Sequence, residues 1–410
     1  MGNMIGSGVF LLPASLAPFG GIGLAGWLVS AAGSILLSLV FARLARVNPA
    51  SGGPYAYTRL AYGDLAGFLI AWGYWISIWS ANAAIAVGFV GYLDPFIPSL
   101  VRNPPIAGSL AIALLWTLTA VNVMGIRGAG RVQLATTALK ILPLLAIGIA
   151  GAFMLQPSHF TVAKSDGVLR SVMAATTLTL WAFLGLECAT IPASATANAE
   201  KTIPRATVIG TLLTAAIYVL GTIGVMSLVD PTKLGQSAAP FADAARVLAG
   251  ESGAAVVALG AAISCFGALN GWILVVGQLP MAVARDGLFP SVFARLSTRG
   301  TPATAMIVAA TLSSALIVMN YSRSLVELFT FIILLATLST LVPYTFCSLA
   351  GFILQRRDPR YQWSAGASVI CSLAFGYTLF AIGGAGAEVV FYGFLLLMCG
   401  LPVYVMIAKV

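Results

Sequence analysis

Charge is what this sequence has least of: Asp, Glu, Lys and Arg together make up 8% of 410 residues, against roughly 25% in soluble domains. A chain so poor in charge and 60% hydrophobic is not a soluble globule, and its apolar runs of about 20 residues have the length that crosses a bilayer. Histidine is nearly absent. His159 stands alone in a predicted external loop, and no membrane-facing Cys/His or Ser/His set is visible, so an enzyme reading lacks a nucleophile with its base. The five cysteines, Cys188, Cys265, Cys347, Cys371 and Cys399, fall within or beside apolar runs. That placement suggests neither a disulfide framework nor a zinc site, and they read as packing residues. A channel should show a repeated filter or a charged ring, and neither is visible.

The formal net charge of +9 would point to nucleic acid in a soluble protein; here it reads as topology. Apolar runs place spans near 1–17, 22–45, 66–93, 106–125, 132–155, 170–192, 206–229, 254–284, 303–320, 326–354, 365–385 and 388–408, twelve in all. Loops on one side then carry thirteen basic residues, Arg43, Arg59, Arg205 and Arg356 among them, against six on the other. The basic side is expected to be cytoplasmic, which places both termini inside. The first segment has no basic leader or small-residue cleavage site, so no cleavable signal peptide is expected. The expectations for partners are therefore the lipid bilayer, a small-molecule substrate and a possible homodimer, without nucleic acid, metal or cofactor.

Two spans are interrupted. Met1 to Pro13, MGNMIGSGVFLLP, is broken by Gly2, Gly6 and Gly8 and closed by Pro13, and residues 176–192, TTLTLWAFLGLECATIP, carry Gly185, Glu187 and Pro192 in an apolar run. Irregular backbone is tolerated at membrane depth only where it lines a cavity or is buried in protein, and such a pair in the two halves of a chain points to a transporter site. If the first break lies mid-membrane, about ten residues of helix should precede it at 1.5 Å each; they are missing, which leaves a trimmed start or an internal methionine as the alternatives. A broken helix offers N–H groups where one half begins and carbonyls where the other ends. Amides near Ser7 and Gly8 suit a carboxylate, and carbonyls near Met4 and around Trp181 and Leu184 suit an ammonium. The pattern reads as a clamp for an amino-acid head group. The competing reading is close helix packing, since Gly2 and Gly6 also fit a small-xxx-small pattern.

Near mid-span only Glu187 and Lys140 are charged. Such a charge costs about 2.5 to 3.5 kcal/mol on insertion scales and is a functional candidate by default. Both are candidate proton switches, Lys140 being expected to face the back of the first broken helix. The third span holds Trp72, Tyr74, Trp75, Trp79 and Asn82, too deep for a belt alone, with Tyr74 and Asn82 expected on one face. NPASGGPYAYTRLAYG (48–63) suits an amphipathic stretch at the interface, either a structural loop or a gate. Thr337, Ser339 and Thr340 are expected to be interhelical glue.

GNMIGSGVFLLPASLA, GGPYAYTRL, TLWAFLGLECAT, PFADAARVLAG, GWILVVGQ, ARDGLFPSVFAR and TLVPY resemble the amino acid-polyamine-organocation transporter superfamily, most closely its basic amino acid/polyamine antiporter branch. The resemblance implies an all-α polytopic membrane protein with a five-plus-five inverted repeat, interrupted helices 1 and 6, and two added helices. The repeats fall at about 1–155 and 170–354, and the added helices at about 365–408. Alternating access without cofactor is implied, with exchange of cationic amino acids and related amines as the expected activity and proton-coupled symport through Lys140 as the alternative. The resemblance puts the substrate carboxylate on the amides of Ser7 and Gly8 and the α-amino group on the carbonyls of Met4, Trp181 and Leu184. It puts Trp272 under the far end of the substrate, Asn82 with the carbonyls of Ser77 and Ile78 around a guanidinium, and Trp181 over the site as a gate. Tyr74, Glu187 and Tyr344 match a distal gate. Two departures stand out. A polar serine contact of arginine exchangers is Ala336 here, and Lys140 is similar instead to a fifth-helix lysine of proton-coupled and light-subunit-type transporters.

Overall fold

The computed structural model describes residues 4–47, 53–101, 103–125, 129–161, 167–187, 198–320, 323–357 and 364–407. Among them every regular element is helical. In chain order these are α1 (Ser7–Leu16), α2 (Gly21–Val47), α3 (Pro54–Tyr62), α4 (Asp64–Gly91), the single turn α5 (Pro98–Val101), α6 (Pro104–Val123), α7 (Ala129–Phe153) and α8 (Val168–Leu180). There follow α9 (Ala199–Leu228), the turn α10 (Pro231–Leu234), α11 (Pro240–Arg285), α12 (Ala303–Val318), α13 (Leu325–Arg357), α14 (Ala365–Gly384), α15 (Ala387–Met398) and α16 (Gly400–Ile407). Eight helices among the described residues are long and apolar enough to cross a membrane, and four shorter apolar ones, Ser7–Phe19, Lys140–Phe153, Val168–Phe183 and Ala303–Val318, lie where the remaining sequence spans fall.

Helix ends follow local chemistry. Asn103 caps α6 by accepting from the Ile106 amide at 3.4 Å, with Pro104 at the first helical position, where its missing N–H costs nothing. Gly63, at φ +91, turns the chain between α3 and α4. The span predicted to start at 254 is instead the second part of α11, which bends at Ala249 and Gly250; PFADAARVLAG forms the segment before that bend.

In lipid no hydrophobic force holds helices together, so small residues set how closely they approach. Gly151 of α7 meets Gly224 of α9 so tightly that an added Cβ would sit 2.4 Å from the Gly224 carbonyl. α4 is the centre of the bundle. Its most apolar window is 94% buried, whereas that of Ala387–Ile407 is 6% buried and faces outward.

Two expectations change here. α3 does not lie with an apolar face outward: Tyr55, Tyr57, Thr58 and Ala61 are buried in protein, because its partners come from distant helices. Tyr55 donates to Asp286 at 2.8 Å and Tyr62 to the Phe346 carbonyl at 3.0 Å. Burial, followed by the Asp286 contact, holds the Tyr55 phenol above its ordinary range. Among the cysteines, Cys265, Cys347 and Cys371 are buried as expected, but Cys399 is exposed; Cys188 lies outside the described residues.

Candidate substrate site between two broken helices

Residues Met4 to Gly6 are not helical, and α1 begins at Ser7 after Gly6 with no side-chain cap. The first amides of α1 therefore have no partner within the helix, at the end where the helix dipole is positive. Opposite them α8 ends at Leu180, tightens into a 3-10 turn at Trp181–Phe183, and opens at Leu184, whose backbone is extended. Gly185 follows at φ +100, a conformation that a side chain disfavours. α1 thus begins, and α8 ends, near glycines expected to interrupt the two spans; Pro192 lies outside the described residues.

The two breaks face each other. A Cβ added to Gly8 would lie 2.9 Å from Trp181 Cδ1 and 3.2 Å from the Ala182 Cα, so only glycine lets the Trp181 indole cross the start of α1. Met4, Ser7, Gly8, Ser77, Ile78, Trp181, Leu184 and Trp272 line one cavity together with Tyr74, Glu187 and Thr340. Its volume of about 30 Å³ has room for roughly two waters. An amino acid enters only after the walls part.

At one end Glu187, fully buried, accepts hydrogen bonds from the hydroxyls of Tyr74 and Tyr344, and the Gly185 amide donates to it at 3.2 Å. This carboxylate ties α4, α13 and the second break into one cluster. Ser77 of α4 and Thr340 of α13 share a hydrogen bond in the cavity wall. Thr340 also donates to the Ala336 carbonyl at 3.0 Å. The hydroxyl that an alanine at position 336 does not supply is therefore offered one turn on, by Thr340. Thr340 is interhelical glue as expected, through its bond to Ser77 of α4, and it lines the cavity as well; Thr337 and Ser339 donate instead to Ile333 and Leu335 of their own helix, not to a neighbour. Asn122 and Asn270, 2.8 Å apart between α6 and α11, are a further interhelical pair.

Asn82 is buried but does not line the cavity. Eight residues at 3.6 per turn turn it about 80° from Tyr74, whereas Ile78, Ala81 and Ile85 stay close to the Tyr74 direction. Tyr344 does not line the cavity itself but touches Glu187, which does. Lys140 stands apart on α7: it is buried, and Nζ has no hydrogen-bond partner among the described residues. Its charge reaches the Cys265 thiol of α11. One turn beyond Cys265 on the same face of α11, Ala268 lies 3.3 Å from where a Cβ on Gly6 would be, so the lysine and the segment before α1 meet neighbouring positions of that helix.

Tyr218 of α9 went unnoticed in the sequence. Its hydroxyl donates to the Met4 carbonyl at 2.7 Å and to the Ala182 carbonyl at 3.1 Å, bridging the two breaks. The signal was available: Tyr218 is a hydroxyl in the middle of the apolar run TLLTAAIYVLGTIG, and a buried phenol needs a partner.

At the end of the bundle where α3 packs, Arg59 pairs with Asp64 at 2.7 Å and with Asp286 at 3.0 Å. Tyr55 joins the same cluster, fastening α3 to the end of α11.

Membrane-spanning helices around a cavity too small for an amino acid fit a transporter, in which substrate is admitted by helix movement. The chain belongs to the amino acid permease family, which matches it over residues 1–408. It is 34% identical over 443 residues to the putative arginine/ornithine antiporter of Bacillus subtilis (strain 168), covering 98% of this chain and 94% of that protein. It is 33% identical over 358 residues to the cadaverine/lysine antiporter of Escherichia coli (strain K12), covering 84% and 79%. The putrescine transporter PotE of the same strain is 31% identical over 409 residues, covering 98% and 93%.

Proposed function

We propose that this protein is a secondary active exchanger of cationic amino acids and related amines, working by alternating access in a bacterial inner membrane. The observation that carries the reading is the facing pair of breaks: uncapped amides of Ser7 and Gly8 on one side, with the carbonyls of Met4, Trp181 and Leu184 on the other. In this reading the amides hold the substrate carboxylate and the carbonyls its ammonium. The side chain of the substrate then lies toward Trp272 and the Ser77–Thr340 pair. An indole face attracts a cation by about 0.5 to 2 kcal/mol depending on desolvation, and Glu187 adds a carboxylate to the same cavity. The names of the relatives support a cationic substrate.

The architecture that goes with this function is twelve spans with both termini cytoplasmic. Two inverted repeats occupy about 1–155 and 170–354, and two added helices about 365–408. Trp181 closes over the bound substrate, and the Tyr74–Glu187–Tyr344 cluster forms the gate beyond it. The Tyr55–Arg59–Asp286 cluster holds the cytoplasmic end shut. The testing experiment is counterflow in proteoliposomes: labelled arginine enters vesicles loaded with ornithine, lysine or putrescine, and neutral aliphatic amino acids compete poorly. If leucine or alanine outcompetes every cation, the assignment of the substrate tail is wrong.

A second reading is favoured by one observation, the buried Lys140 Nζ, which has no hydrogen-bond partner among the described residues. If that lysine gives up a proton in one conformation, the protein is a proton-coupled symporter of broader specificity. Exchange is preferred because the motif set lies closer to the antiporter branch. Uptake into empty vesicles under a pH gradient separates the two.

A further inference from the structure

Behind the site, two adjoining hollows on the outer surface of the bundle line up as a groove. The first, of about 530 Å³, lies at the turn between α14 and α15 and is flanked by Arg170 and Ala174 of α8. The second, of about 170 Å³, runs along α15 against α13 and α4, where Gly73, Leu338, Gly393 and Phe394 wall it. Ile382 and Val390 line both, so the two hollows adjoin at these side chains.

Its chemistry is divided along its length. The inner hollow is apolar but for Ser339, whose hydroxyl is already bonded to the Leu335 carbonyl at 2.9 Å. The outer hollow carries the exposed cation Arg170, which no carboxylate pairs among the described residues. Glu388, at the start of α15, is held by Arg323 at 3.0 Å. From Ala387 in the outer hollow to Leu397 in the inner one, α15 rises by about 15 Å, half of the ~30 Å hydrocarbon core. The groove thus has a cation at one end and an apolar slot one leaflet deep. It opens sideways, with Phe394 56% exposed. Gly393 lets Leu338 of α13 pack directly on α15 in the wall of the slot, since a Cβ there would stand 2.5 Å from Leu338 Cδ2.

We propose that this groove binds one phospholipid of the surrounding bilayer, with its phosphate at Arg170 and one acyl chain between α13 and α15. Charge and length together select this occupant. Gly73 and Ile76 immediately precede Tyr74 and Ser77, and Ser339 precedes Thr340, so the acyl chain lies against the backs of the two helices that present the gate and the cavity wall.

The test is native mass spectrometry of the purified full-length protein in detergent, titrated with dioleoylphosphatidylglycerol. The parent retains one lipid per chain, and glycerol 3-phosphate does not displace it. Arg170→Gln, a change at an exposed position, lowers retention about fivefold, the equivalent of the ~1 kcal/mol that one basic residue contributes near a membrane surface. Val390→Trp, which fills the junction of the two hollows, lowers it as well, whereas Lys233→Gln leaves it unchanged. Parent-like retention in both Arg170→Gln and Val390→Trp overturns the proposal, as does displacement of the lipid by glycerol 3-phosphate.

Discussion

Removing one oxygen atom, in Tyr218→Phe, should loosen the clamp without disturbing the packing around it. The ring stays, so its contacts with Trp27 at 5.3 Å and Phe183 at 5.6 Å between centroids are kept and no cavity opens. What goes is the only side chain seen to bridge the Met4 and Ala182 carbonyls among the described residues. A buried acceptor left without its partner costs about 1 to 3 kcal/mol. A single hydroxyl proton serves the two carbonyls unequally, the shorter contact being to Met4, so the lower half of that range applies, about 1 to 2 kcal/mol. If the cost falls on the geometry of the clamp, substrate affinity weakens about 5- to 30-fold, at 1.4 kcal/mol per tenfold. The assay is equilibrium binding of arginine, ornithine, lysine and putrescine to purified parent and variant, with thermal unfolding measured in parallel. Affinities within twofold of the parent for every ligand would refute the idea that Tyr218 sets the spacing of the two breaks.

Gly8→Leu should fold yet fail to bind any amino acid, because its Cβ alone would lie 2.9 Å from Trp181 Cδ1; normal binding by a folded variant counts against the main-chain clamp. Thr340→Val keeps the shape of the α13 wall but strips its hydroxyl from Ser77. Competition assays should then show a weakened preference for cations over neutral amino acids, by up to tenfold if the ~0.5 to 1.5 kcal/mol of one hydrogen bond is at stake. Asp286→Asn should lower stability by no more than ~1 kcal/mol, since the Arg59 and Asp286 side chains are 33% and 45% exposed and such pairs are screened by water and salt. The same variant should raise the cytoplasm-open fraction, read by the labelling of a cysteine placed in the cavity wall.

The start of α1 and the end of α8 were legible because glycine acts on the backbone where it stands. Charge was legible too: Glu187 and Lys140 stood out against an apolar background, and both are buried. What the sequence concealed were partners far apart along the chain. Met4 and Tyr218 are 214 residues apart, and the tyrosines of α3 looked interfacial until Asp286, 231 residues from Tyr55, gave them protein contacts. Asn82 was misplaced by helical phase, since an eight-residue spacing is close to two turns without being two turns. Thr340 carried two signals at once, a hydroxyl able to bond its own helix and a position facing the cavity, and spacing alone does not rank them.

The central claim is that two broken helices form an exchanging site for cationic substrates. Its most direct test is labelled arginine uptake into proteoliposomes under an imposed pH gradient, with the lumen empty or loaded with ornithine, for the parent and for Lys140→Ala. Exchange predicts uptake by the parent that requires luminal substrate and is indifferent to the gradient. Concentrative uptake into empty vesicles, driven by the gradient and lost in Lys140→Ala, would contradict it and make Lys140 the coupling residue.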